Sequence, residues 1–231
     1  VMTGGDVAIQ DNNAVRSVEM QTGTLWDDVQ ATTHGIYVPE GKSATWQLTG
    51  IDYTAYANKL TGKGTLTIVP RNTVQRVRIT GNWSEFEGTI RHVTSTICLP
   101  LDGLLGMPKG TLYLAEGCTV SNVAKSFTIG KLTGKGQLIQ PIADFTSQAV
   151  VNGNNIWNIG NSFDTDGDFT FDGTFSDGGG SNKCIFNKVG TCTMTVTGVS
   201  THSGGTTIKD GALHLASGAA LGTGELTVAS G

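Results

Sequence analysis

Hydrophobic and polar residues alternate in short runs along most of this chain. Leu66 and Ile68 alternate with Thr65 and Thr67, and Val77 and Ile79 with Arg76 and Arg78. Leu112 and Leu114 flank Tyr113, and Met194 and Val196 alternate with Thr193 and Thr195. A period of two turns one face of a strand inward and leaves the other outward. The pattern predicts a buried ladder of Leu66, Ile68, Val77, Ile79, Leu112, Leu114, Met194, Val196, Ile208, Leu213, Leu215 and Leu226. Glycine turns separate the C-terminal runs roughly every ten residues, as in repetitive all-β structures. Two sections break the pattern. Residues 1–34 read as an irregular N-terminal section. Residues 97–109 hold Pro100, Pro108 and two glycines, which exclude a long helix and predict a loop insertion on the outside. No linker is evident, so 1–231 reads as one domain.

The chain also echoes itself. KLTGKGTL at 59–66 recurs as KLTGKGQL at 131–138, with a weaker copy, NKVGTCTM, at 187–194. FEGTI at 86–90 recurs as FDGTF at 171–175. Self-similar short strands with glycine corners predict a parallel β-helix of about 20–23 residues per coil, each coil burying its face against the next. The runner-up is an antiparallel β-sandwich, which has similar strand spacing. The echoes favour the solenoid.

The stretch 191–222 carries a further clue. It reads TCTMTVTG, then VSTHSGGTTIKDG, then ALHLASGAALG. This wording resembles the autotransporter-associated β-strand repeat of bacterial surface proteins. The likeness is close from about Phe169 to Val228, looser from Gly35 to Val93 and poor before Gly35. It implies a single-stranded right-handed parallel β-helix that is exported and displayed at the cell surface. It implies a passenger-type segment acting as a rod-like stalk or adhesin, with a host or matrix glycan or protein as partner. It also implies further repeats of the same chain, since Leu226–Val228 still reads as a repeat strand, and an export signal that has been removed or lies outside this sequence.

Composition narrows the picture. Of 231 residues, 33 are glycine and 5 proline, and charged residues are 15%. Low charge with ample apolar content excludes a disordered chain. A net charge of −4 argues against a nucleic-acid partner. No apolar run approaches the ~18 residues of a membrane-spanning helix. The four cysteines, Cys98, Cys118, Cys184 and Cys192, lack the C-x-x-C spacing of zinc sites. Parity turns Cys184 and Cys192 inward, where thiols act as small buried hydrophobes. Disulfides at 98–118 or 184–192 stay open in an oxidising compartment.

Candidate chemistry is sparse. Asp164, Asp166 and Asp168 alternate in a DTDGD turn and could offer oxygens to Ca²⁺. The spacing departs from an EF-hand loop, with Gly167 at position 4 and Phe175 at position 12, so a solvated turn is the expected reading. Arg76, Arg78 and Arg91 cluster in sequence near Trp83 and could grip a carboxylated sugar, because a guanidinium pairs bidentately with a carboxylate. A β-helical polysaccharide lyase or glycoside hydrolase is the alternative function. It needs an acid and a base, commonly two carboxylates set across a sugar. Asp144/Asp166 and Glu19/Glu40 fit that demand only crudely. His34, His92, His202 and His214 are scattered, and no G-x-S-x-G, P-loop or H-E-x-x-H occurs. The expectation is a non-catalytic protein without a cofactor.

Overall fold

The computed structural model describes residues 1–9, 17–27, 34–48, 55–70, 78–93, 98–101, 106–122, 126–139, 154–160, 167–178 and 181–229. Among them every regular element is a strand, and every strand pairing is parallel. Chain neighbours do not pair. Each strand pairs instead with one a coil away, which makes a parallel β-helix and excludes the antiparallel sandwich. The principal sheet has 14 strands. Its main path runs through Asp6–Ile9, Thr24–Asp27, Ser43–Leu48, Thr65–Pro70, Thr89–His92, Met107–Leu114, Ser126–Gly134, Asn155–Ile159, Cys184–Lys188, Thr206–Ile208 and Leu226–Val228. A second sheet of six strands stacks Ala55–Tyr56, Arg78–Ile79, Cys98–Leu101, Thr119–Asn122, Gln137–Ile139 and Thr174–Ser176. A third stacks Ser17–Glu19, Gly35–Val38 and Leu60–Gly62. No described helix is long and apolar enough to cross a membrane.

Alternation decides which side chains enter the tube. Leu25, Trp46, Ile68, His92, Leu114, Gly134, Phe171 and Val196 follow one another in register, and apart from half-buried Gly134 all are buried. Such a stack buries on the order of 1.5–3 kcal/mol per large side chain. Outside, Thr24, Thr45, Thr67, Arg91, Tyr113 and Thr133 form the matching column. Ser43, Thr65, Thr89, Thr111 and Lys131 form a second. Threonine suits an outer strand face, because its branched Cβ fits the pleat while its hydroxyl meets water.

Most of the predicted ladder is buried. Leu66, Ile68, Ile79, Leu112, Leu114, Met194 and Val196 are inside. Val77 lies outside the described residues. The last coil departs from expectation: Leu215 is 39% and Leu226 54% exposed, and Ile208 and Leu213 are half-buried. Ala212–Leu215 and Leu226–Val228 each pair on one side only, so no further coil covers them. Residues 97–109 also differ from the expected loop. They supply the strand Cys98–Leu101 and the start of Met107–Leu114, with Met107 fully buried. Pro100 sits within a strand paired at all four positions to Thr119–Asn122, and the ladder loosens on its other side and beside Pro108. The register slips between Met107 and Thr111, and Cys98–Leu101 pairs Arg78–Ile79 only at Leu101. Residues 1–34 likewise contain the strands Asp6–Ile9, Ser17–Glu19 and Thr24–Asp27.

The sequence echoes are corner devices. Gly62 and Gly134, equivalent in the two KLTGKG copies, have φ of 105° and 92°. A Cβ there would sit 2.1 Å from the Val38 carbonyl oxygen or 2.0 Å from that of Leu114. The next two amides close on the same oxygen. Lys63 and Gly64 each donate to Val38 at 3.0 Å, and Lys135 and Gly136 donate to Leu114 at 2.8 and 3.2 Å. One coil on, the aromatic-x-Gly-Thr copies land on these corners. Thr89 donates to Gly64 at 3.0 Å, and Thr174 to Gly136 at 3.1 Å. The two copies occupy different corners, since Gly62 closes a third-sheet strand and Gly134 a principal-sheet strand. They are one turn used twice.

Candidate functional site

The tube changes character at Ser126–Gly134. That strand pairs Asn155–Ile159 through its first half and Phe169–Phe171 through Gly134, so one strand becomes two. The division continues in Cys184–Lys188 with Thr193–Val196. Beyond Ser126–Gly134, the set of buried polar side chains among the described residues comprises Asn155, Asn187, Lys188, Ser200, His202 and Thr206.

Lys188 is its most unusual member. It stands in register between Ile159 and Ile208, in a column otherwise aliphatic, and its side chain is fully buried. Its ammonium donates to the carbonyls of Val189 at 2.8 Å, Gly190 at 2.7 Å and Asp210 at 3.3 Å. Three donors meet three acceptors, so the charge is held by corner carbonyls of two successive coils. Burial pushes its pKa below the ordinary lysine value, against the opposing pull of Cys192, Asp210 and Asp168. No sequence signal singles it out.

A second cluster joins Asp177, Cys184 and His202. The Asp177 carboxylate accepts from the Cys184 amide at 2.8 Å and from the Ser203 amide at 3.0 and 3.1 Å. Burial alone would raise this carboxyl, but hydrogen bonds from Ser203 and Cys184 hold it below the usual carboxylate range. The His202 ring is buried, lies edge-on to Phe175 at 5.8 Å and meets the Thr206 hydroxyl at 3.0 Å. Burial lowers its pKa, although Asp177 pulls the other way. Burial first, and Asp177 second, push the Cys184 thiol far up. A thiol, a histidine and a carboxylate invite comparison with a nucleophilic triad. A catalytic cysteine needs a depressed pKa and access to substrate, and Cys184 has neither. The cluster ties one coil to the next.

The sequence candidates are scattered. Asp164 and Asp166 lie outside the described residues, as does Arg76. The Asp168 carboxylate accepts from the Thr193 amide at 2.8 Å, one coil away. No group of three metal-ligating side chains forms among the described residues. Arg78 sits in the second sheet, whereas Arg91 lies on the principal sheet with its guanidinium 5.0 Å from the Tyr113 ring centre. Trp83 is buried and donates its indole N–H to the Asn58 carbonyl at 3.2 Å, so it offers no surface to a sugar. The neighbouring acids pair with lysines, Glu87 with Lys63 at 2.9 Å and Glu85 with Lys109 at 3.2 Å. Such exposed pairs are screened by water and contribute little to stability.

Of the carboxylate pairs, Asp144 and Asp166 fall outside the described residues. Glu19 stands opposite Tyr37 in the register and accepts from Gln21 at 2.8 Å. Glu40 is exposed in the turn beyond that strand. Cys118, Cys184 and Cys192 are free buried thiols, so the 184–192 disulfide is absent. The register sets Cys98 opposite Thr119, one residue away from Cys118.

The chain matches no protein-family model, no curated protein and no solved structure. The likeness to the autotransporter-associated repeat rests on the residues that carry it.

Proposed function

We propose that this chain is a non-catalytic rod, an exported surface or passenger-type segment that spaces and presents an adhesive flank. One observation supports this reading above the others. The ladder keeps parallel pairing through 11 successive described strands, and Lys188, Asp177 and Asp168 each bond from one coil to the next. Ten steps of about 4.8 Å give a length of roughly 50 Å. The outer columns of threonine and serine are hydrated and carry little charge, as suits a stalk in contact with water. A β-helical enzyme would instead spend its carboxylates on a substrate groove. Two measurements test the proposal. Small-angle scattering of the purified protein should give an elongated particle. Protease shaving of intact source cells should remove the native protein from their surface. A compact particle, protection from shaving, or turnover of polysaccharide by the purified chain would overturn it.

A further inference from the structure

The chain has four tryptophans, Trp26, Trp46, Trp83 and Trp157. Three are fully or almost fully buried, whereas Trp26 is 38% exposed. Trp26 lies two residues beyond Thr24 on the outer face of the principal sheet, directly opposite Gln47. The Gln47 amide is fixed, because its N–H donates to the Val69 carbonyl at 2.8 Å. Beside it runs a shallow groove of roughly 230 Å³ between Thr22, Thr24, Ser43, Thr45 and Thr67. Gly23 has no side chain to fill the depression, and Ala44 turns its methyl inward to the core. Trp26 is the one exposed indole of the four, and a large apolar ring left in water gains by being covered.

The ligand that fits has an apolar face for the indole and a regular edge of hydroxyls for the columns. A pyranose has both. Thr24, Thr45 and Thr67 repeat once per coil, about 4.8 Å apart along the rod. That period is close to the length one pyranose adds to an extended β-linked chain. The groove residues carry no charge, which favours a neutral sugar; the nearest charges in the column are Asp6 opposite Thr24 and Arg91 opposite Thr67. We propose that this face binds a neutral, extended β-linked polysaccharide laid along the rod axis, one sugar per coil, with Trp26 stacked on a ring. This gives the adhesive flank a ligand class and rests on that reading.

The test uses cellohexaose, mannohexaose and xylohexaose as probes, with α-linked maltohexaose, which coils, as control. Binding is read by tryptophan fluorescence and calorimetry on the whole chain. At least one β-linked hexaose should bind with a Kd below about 1 mM. Trp26→Ala should weaken it about tenfold or more, and Thr45→Arg, which fills the groove from an outward position, should abolish it. Circular dichroism confirms that each variant folds, and if Trp26→Ala does not, Thr45→Arg decides. No binding of any β-linked probe, equal binding by both variants, or equal binding of maltohexaose would overturn the site. Scattering and shaving are independent of these titrations, so a failure here leaves the rod standing.

Discussion

Gly173 gives the sharpest test of how the coils are held apart. It stacks on Gly136 one coil below, and Gly198 stacks on it in turn. A Cβ on Gly173 would lie 1.9 Å from the Gly136 carbonyl oxygen and 2.5 Å from the Phe171 ring. Ordinary contacts between heavy atoms need about 3.5 Å, so backbone or ring must move by about 1 Å or more. Both are constrained. The Gly136 oxygen accepts from Thr174 at 3.1 Å, and the Phe171 ring is fully buried 5.5 Å from that of Phe175. Overpacking costs about 1–3 kcal/mol, and losing the hydrogen bond about 1 kcal/mol. Gly173→Ala should therefore destabilise the protein by about 2–4 kcal/mol, or roughly 5–15 °C in Tm for a chain of this size. Gly4→Ala is the control, since its Cβ would meet nothing nearer than a Thr22 methyl at 4.0 Å. Thermal and urea unfolding of both variants by far-ultraviolet circular dichroism reads the difference. A Gly173→Ala melting point within about 1 °C of the parent would refute the stacked-corner argument.

Two further outcomes follow from the buried ionisable groups. The folded pKa of Lys188 lies below the ordinary 10.5, so in that alkaline window the unfolded chain holds more protons and stability rises with pH. Lys188→Met should cost about 1–3 kcal/mol at neutral pH by stranding buried carbonyls, and should remove that alkaline rise. Urea midpoints at pH 8 and above check both effects, and an unchanged rise in the variant would count against the buried ammonium. His202 has its folded pKa below 6.5, so stability should fall as pH drops through 6.5 toward the folded value. His202→Gln should flatten the fall between pH 7 and pH 5, leaving the part due to His34, which shifts in the same direction; parallel curves for variant and parent would exclude this role.

Much of the architecture was legible because alternation and corners are local. Leu66, Ile68, Met194 and Val196 declare their inward face within a few residues, and the KLTGKG copies announce a turn before its partner is known. What escaped is what depends on the neighbouring coil. Arg78, Trp83 and Arg91 are close in sequence, but within a coil such a distance turns a corner, and the three end on a second-sheet strand, in the core and on the principal sheet. True neighbours are a coil apart, as Thr67 is from Arg91. Lys188 was invisible for another reason. Parity assigns it inward, yet a lysine there reads as an interruption until the corner carbonyls that receive it are in place. Pro100 and Pro108 misled because a proline marks a loop only where its missing N–H would be needed.

The dividing strand has a consequence for how such a chain can lengthen. Below the division, successive partners such as Tyr113 and Thr133 are 20 residues apart. Across it, Ile129 and Ile159 are 30 apart, yet beyond Lys188 the interval returns to 20. A coil can thus absorb about half as many residues again and hand an intact template to the next. Insertions at this seam are locally contained, as an extra stitch in one row of knitting leaves later rows aligned. Gene-level insertions here could add a side structure at a fixed height on the rod while the stacking above and below continues in register.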